Sequence, residues 1–148
     1  MSYTSLNYHI VFSTKDRRPY FSEGDNERLN AYFGGMIRNM KAKLLIFNST
    51  ADHIHLAAGL PPDTTLSSFV RTIKTNSSKW IHETFDSLDK FSWQEGYSAF
   101  SVSYSGIDKV IQYIENQQEH HKKLSFEEEL LLLLKKHNID YDPIYVFK

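Results

Sequence analysis

From Tyr3 to Thr14 the chain alternates, with Leu6, Tyr8, Ile10 and Phe12 on one side and Asn7, His9, Val11 and Ser13 on the other. A period of two is that of a half-buried β-strand. The period then lengthens. Leu29, Phe33, Met36, Ile37 and Met40 form the apolar stripe of a helix running from Glu23 to about Met40, with Ser22 placed to cap it. Gly34 and Gly35 weaken its interior locally. Lys43–Asn48 and Ile54–Leu60 read as two more strands, and Asn48–Asp52 as the tight connection between them. Pro61-Pro62 ends the third strand. A second helix follows, capped by Asp63 or Thr64 and running to about Phe85, with Leu66, Phe69, Val70, Ile73, Trp80, Ile81 and Phe85 on its buried stripe. Phe91–Ser103 reads as a fourth strand, in which Gly96 marks a bulge or the close approach of another backbone.

The predicted order β-α-β-β-α-β is the ferredoxin-like arrangement, an α+β fold with two helices on one face of a four-stranded antiparallel sheet. It leaves the opposite sheet face for a partner, a ligand or a further helix. The pattern continues with a third helix from about Ile107 to Lys122, with Val110, Ile111 and Ile114 as its apolar positions. A fourth follows from Phe126 to Asn138. Glu127-Glu128-Glu129 at its start and Lys135-Lys136-His137 at its end suit the helix dipole. The leucines Leu130 to Leu134 dock this helix on the body or on a second subunit, and residues 139–148 form an irregular tail. The expectation is one domain over residues 1–148, with a core of about residues 3–123 and a C-terminal helix and tail of about residues 124–148.

Composition narrows the function classes. The 148 residues are 41% hydrophobic and 14% aromatic, as in a globular domain. No apolar run is long enough to span a membrane, and residues 1–15 do not read as a signal peptide. Cysteine is absent, so no thiol does chemistry, and a cytoplasmic location is the simplest expectation. The formal net charge is −1, so any nucleic-acid contact must use local basic patches. Lys15, Arg17 and Arg18 form one such group. Arg71, Lys74 and Lys79, off the buried stripe of the second helix, form another. Residues of this kind are more often simply the solvated side of a loop or helix.

The candidate chemistry centres on Asp52-His53-Ile54-His55-Leu56. On a strand, His53 and His55 share a face and Ile54 points the other way. Two neighbouring imidazoles on a rigid strand can each offer a ring nitrogen to one divalent metal; they can also be two ordinary surface histidines. Sixty residues later, Tyr113 and Gln117 are four apart, about one helical turn, with His120 and His121 continuing near the same line.

Taken together, His53-Ile54-His55, the segment Trp93–Ser103, and Tyr113-Ile114-Glu115-Asn116-Gln117 resemble the single-tyrosine HUH transposases. These are small bacterial insertion-sequence enzymes, with relatives associated with repeated extragenic palindromes. The resemblance runs from Tyr3 into the acidic, leucine-rich helix. It implies an enzyme that cleaves and rejoins single-stranded DNA at hairpin-flanked ends, with Tyr113 as nucleophile and a 5′-phosphotyrosine intermediate. It also implies a divalent metal, Mg²⁺ or Mn²⁺, on His53, His55 and Gln117, and a homodimer. Two other classes remain open on the residues alone: a metal-dependent phosphoesterase using water, and a non-catalytic nucleic-acid-binding module on the same fold.

Overall fold

The computed structural model describes residues 1–148. Strands β1 (Asn7–Ser13), β2 (Lys43–Ser49), β3 (His53–Gly59) and β4 (Ser98–Val102) form one antiparallel sheet in the order β2-β3-β1-β4. Helix α1 (Asp25–Asn39) joins β1 to β2, and α2 (Leu66–Thr84) joins β3 to β4. This is the expected ferredoxin-like α+β sheet.

Strand alternation sorts the side chains. Ile10 and Phe12 of β1, Phe47 of β2, and Ile54, Leu56 and Ala58 of β3 pack against Leu29, Phe33 and Ile37 of α1 and Phe69, Val70 and Ile73 of α2. Helix α1 buries the expected stripe. The two glycines stay inside it, and a Cβ on Gly34 would meet nothing closer than Leu44 at 3.9 Å. Tyr32 of α1 stacks on Trp80 of α2 with centroids 4.4 Å apart, which ties the two helices together at their outer edge.

The other sheet face is covered by the chain's own C-terminal helices. Helix α5 (Phe126–Lys136) lays Phe126, Leu130, Leu133 and Leu134 on Val11 and Phe100. Ser125 caps it. The serine side chain accepts from the Glu128 N–H while the Glu128 carboxylate accepts from the Ser125 N–H, a reciprocal capping box. The leucine run therefore docks on the body. No helix is long and apolar enough to cross a membrane.

Four boundaries differ from expectation. The first strand begins at Asn7 rather than Tyr3. Helix α1 starts at Asp25, where the carboxylate turns back to accept from the Ser22 N–H and hydroxyl. The cap of α2 is Thr65, whose hydroxyl accepts from the Ser68 N–H, in place of Asp63 or Thr64. The fourth strand shrinks to Ser98–Val102 because the residues before it bulge: Trp93 still bridges Thr14 antiparallel, but Gln94 to Tyr97 oppose only Phe12 and Ser13. Trp93 is buried and donates its indole N–H to Ser77 at 3.0 Å. The Gln94 side chain accepts from the Ser13 N–H, and the Gly96 N–H donates to the Lys148 carbonyl. That carbonyl would lie 2.7 Å from a Cβ on Gly96, so a neighbouring backbone does approach there.

If α5 is held by this sheet face, Leu130→Ala should cost about 2–4 kcal/mol, because Leu130 is only 2% exposed. Leu132→Ala, at a position 55% exposed, should stay within about 0.5 kcal/mol. Urea unfolding of the two variants checks this; equal midpoints would show that α5 is not packed on the body.

Candidate active site

Strand β3 presents His53 and His55 on the face opposite Ile54 and Leu56. Both imidazoles are buried, at 1% and 0% exposure. The sheet register lines up their neighbours. Asn48 of β2 lies beside His55, which lies beside Val11 of β1. His9, two residues from Val11 on the same face, reaches His55 diagonally.

Each imidazole is oriented through its inner nitrogen. His53 Nδ1 lies 2.7 Å from an Asp52 carboxylate oxygen and 2.8 Å from the Thr50 hydroxyl. His55 Nδ1 lies 2.8 Å from His9 Nε2. Both Nε2 atoms are thereby aimed outward from the sheet. Such partners fix the orientation and tautomer of a ligating histidine.

The tyrosine and glutamine come from α3 (Ile107–Glu115) and α4 (Gln117–Lys123). The sequence pattern predicts one helix here, but the structure breaks it at Asn116. The cause is tertiary: Asn48 Nδ2 donates to the carbonyls of Ile114 and Glu115, at 2.8 and 3.2 Å, capturing groups at the end of α3. Gln118 Nε2 donates to the Ser49 carbonyl at 2.6 Å and pins α4 to the same strand. Tyr113 and Gln117 nevertheless face one point.

That point is Glu129 of α5. Its Oε1 lies 2.9 Å from His55 Nε2 and 3.2 Å from His53 Nε2. Its Oε2 accepts hydrogen bonds from the Tyr113 hydroxyl and from the Gln117 amide N–H, the latter at 3.0 Å. Gln117 Oε1 lies 3.3 Å from His53 Nε2. Glu129 is 4% exposed and Gln117 fully buried, whereas Tyr113 is half-buried. Tyr113 stacks on His120, with centroids 4.5 Å apart, and borders a cleft of about 530 Å³ shared with His9, Lys109, Lys136 and His137.

The electrostatics follow from this packing. Burial alone would lower the pKa of His53, but hydrogen bonds and attraction from Asp52 and Glu129 outweigh it and push the value up to about 9. Burial brings His55 down to about 4 despite Glu129. Burial and the adjacent carboxylate raise Tyr113 well above the usual phenol range. Burial opposes the Glu129 charge, yet its hydrogen bonds with the two histidines hold its pKa well below the carboxylate range.

The structure thus brings together His53, His55, Tyr113 and Gln117. His121 stands further off, 3.9 Å from Asp52 and with a buried Nδ1 that has no hydrogen-bond partner. The basic groups lie outside this cluster. Lys15, Arg18, Arg71 and Lys79 are exposed. Arg17 donates to the Phe147 carbonyl at 2.8 Å, and Lys74 donates to the carbonyls of Gln94, Glu95 and Gly96. Sequence reasoning missed Glu129, which as the last of three consecutive glutamates passes for part of a dipole-favoured helix start. The signal was its place on the stripe Phe126, Glu129, Leu130, Leu133, Leu134, where every other member is apolar.

Residues 2–117 match the model of a family described as transposase, IS200 like. The chain belongs to the IS200-like transposase family. It is 31% identical over 121 residues to the transposases for insertion sequence element IS200 of Salmonella typhimurium and Salmonella typhi, covering 78% of this chain and 78% of each relative. Two solved structures share the fold. A crystal structure of a transposase from Deinococcus radiodurans R1 gives a TM-score of 0.66 at 24% identity, covering 78% of this chain and 93% of that one. A REP-associated tyrosine transposase bound to a REP hairpin gives 0.61 at 18% identity, covering 82% and 72%.

The helix break in this transposase yields a direct test. Asn48→Ala leaves the end of α3 without its side-chain donor and should cost about 1–3 kcal/mol. Hydrogen exchange should speed up at the amides of residues 117–121 and stay slow in β3. Unchanged exchange across α4 would show that Asn48 does not hold the junction.

Proposed function

We propose that this transposase cleaves and rejoins single-stranded DNA at hairpin-flanked ends, with Tyr113 as nucleophile and a divalent ion, Mg²⁺ or Mn²⁺, held by His53, His55 and Gln117. One observation carries the reading: the two imidazoles, the tyrosine hydroxyl and the glutamine amide, from three separate segments, meet at one buried point. A purely structural tyrosine or incidental histidines would not require that convergence.

The donor set fits such an ion. The ring nitrogens of His53 and His55 and a Glu129 oxygen lie within 4.8 Å of one another, and Gln117 Oε1 lies 3.3 Å from His53 Nε2, so these donors could share one ion. Two imidazoles and an amide oxygen leave coordination positions for substrate oxygens, as Mg²⁺ and Mn²⁺ sites require. When bound, the ion draws electron density from the phosphate oxygens and stabilises the charge of an in-line displacement.

The chain's own groups then do the rest. Tyr113 Oη attacks the phosphorus, the O3′–P bond breaks, and the departing 3′-oxygen takes a proton from water in the cleft, leaving a 5′-phosphotyrosine and a free 3′-hydroxyl. A tyrosine hydroxyl is a weak nucleophile at neutral pH, so its proton must leave to water in the cleft as the new bond forms, while Glu129 Oε2, which accepts its hydrogen bond, orients the hydroxyl. Stacking on His120 holds the phenol in place. The phosphodiester energy is kept in the protein–DNA bond, so the 3′-hydroxyl of another strand can reverse the step. The cleft beside Tyr113, with Lys109 and Lys136 on its border, supports entry of a phosphate from that side. Lys15, Arg18, Arg71 and Lys79 are free to meet phosphates elsewhere on the strand, while Arg17 and Lys74 keep their carbonyl contacts. A hairpin substrate is supported by the fold neighbour that holds one. Two copies of the chain acting as a dimer is part of the same reading, from the family resemblance.

The test is incubation with end-labelled hairpin DNA and Mn²⁺, followed by a denaturing gel. Wild type should form a covalent adduct mapping to Tyr113. Tyr113→Phe should bind the hairpin and form none. A water-using phosphoesterase would give cleaved DNA without an adduct, and a binding module would give neither.

The metal half is tested separately. His53→Ala, His55→Ala or EDTA should abolish cleavage while hairpin binding persists. Undiminished cleavage in EDTA would rule out the metal role. Gln117→Ala should reduce cleavage at least tenfold more than His121→Ala, because Gln117 lies 3.3 Å from His53 Nε2 whereas His121 faces Asp52. Equal losses would remove Gln117 from the ligand set.

A further inference from the structure

We propose that α5 supplies a ligand of its own: Glu129 Oε1 joins His53 Nε2, His55 Nε2 and Gln117 Oε1 around the divalent ion, making the helix after the tyrosine part of the catalytic centre. This rests on the metal reading above and adds to it a residue beyond the range matched by the family model, which ends at Gln117.

The first argument is placement. Glu129 occupies an apolar stripe between Phe126, Leu130 and Leu133 and is 4% exposed. A carboxylate in such a position carries a desolvation penalty of several kcal/mol unless cations or strong donors surround it. Any leucine would satisfy the packing, so the charge answers to something across the interface. The neighbouring acids serve elsewhere: Glu128 closes the capping box, and Glu127 lies 3.9 Å from Arg17. Only Glu129 points into the site.

The second argument is convergence. An ordinary ion pair needs one histidine. Here a single oxygen faces two Nε2 atoms, at 2.9 and 3.2 Å, and the three ligand atoms of His53, His55 and Glu129 lie within 4.8 Å of one another. Each histidine is already oriented from behind, by Asp52 or by His9, as metal-ligating histidines are. The other oxygen of the carboxylate is fixed by the Tyr113 hydroxyl and the Gln117 amide. That second contact also turns Gln117 Oε1 toward His53. The Ser125–Glu128 capping box sets the start of α5 immediately before Glu129, so the carboxylate arrives on a rigid element.

The third argument is ligand chemistry. Mg²⁺ and Mn²⁺ favour oxygen, and an anionic oxygen above a neutral amide. Two imidazoles, one carboxylate and one amide leave two positions of an octahedron for substrate.

Titration of Mn²⁺ into the full-length protein by calorimetry, without DNA, tests this. Glu129→Gln should weaken Mn²⁺ binding at least tenfold, a loss comparable to that of His53→Ala. Binding retained at wild-type strength in Glu129→Gln but lost in His53→Ala would overturn the carboxylate's role and leave the histidine site standing. No uptake by the wild-type protein would overturn the metal reading itself, and this inference with it. Anomalous scattering from Mn²⁺-soaked wild-type crystals gives a readout independent of any variant's folding. The peak should lie about 2.1–2.3 Å from a Glu129 oxygen; a peak on the two histidines with the carboxylate turned away would refute the assignment.

Discussion

The buried carboxylate of Glu129 is the constraint on which the rest of this structure turns. It touches both histidines of β3, the tyrosine of α3 and the glutamine of α4, and it is carried by α5. No one of these contacts would repay its desolvation in isolation. Together they bind four segments to one point, so loss of any partner leaves a buried charge or donor uncompensated. Such networks are worth more than their pairwise parts when fully satisfied and are costly when broken. The two histidines differ within it. Flanked by two carboxylates, His53 holds its proton more tightly than usual, while His55, deeply buried between His9 and Glu129, holds it less tightly.

The sheet makes this possible by separating two tasks. Its period of two sends Ile54 and Leu56 into a core of aromatic and aliphatic side chains, while His53 and His55 go to the other face. Close packing on the first side immobilises the strand, and a rigid strand is what a site needs to hold donor atoms within a few tenths of an ångström. The covering helices complete the second side. Asn48, from the strand next to the histidines, interrupts the helical path between Tyr113 and Gln117 and fastens both halves.

Local signals made much of this legible and left distinct gaps. The alternation around His53 and His55 predicts their shared face, and the four-residue spacing of Tyr113 and Gln117 predicts their convergence. The stripes of α1 and α2 predict the core that holds the sheet. What escaped depends on distant partners. The break at Asn116 is set by Asn48, 68 positions earlier in the chain. The fourth strand is cut short by a bulge between its bridge to Thr14 at Trp93 and its ladder from Ser98, where the Gly96 N–H turns to the Lys148 carbonyl. Glu129 escaped for another reason: at a helix N-terminus an acidic triplet already has a sufficient local explanation, and only its position on the apolar stripe contradicts it.

Burial also sets the direction from which a substrate must come. His53, His55 and Gln117 are buried beneath the covering helices, Glu129 reaches the wall of the cleft beside Tyr113, and the backs of the imidazoles are occupied by Asp52, Thr50 and His9. Tyr113 is the one member of the cluster that remains half-exposed, at the edge of the cleft that Lys109, His120, Lys136 and His137 share. On the proposed reading a phosphate therefore reaches the nucleophile's side of the site first and the metal-ligating atoms only from there. The proposed single-stranded substrate fits this route, because an unpaired strand can bend one phosphodiester into a cleft more readily than a stiff duplex can. On that same proposed reading, a preference for single-stranded substrate would follow from where the tyrosine sits relative to α5, without any base being read.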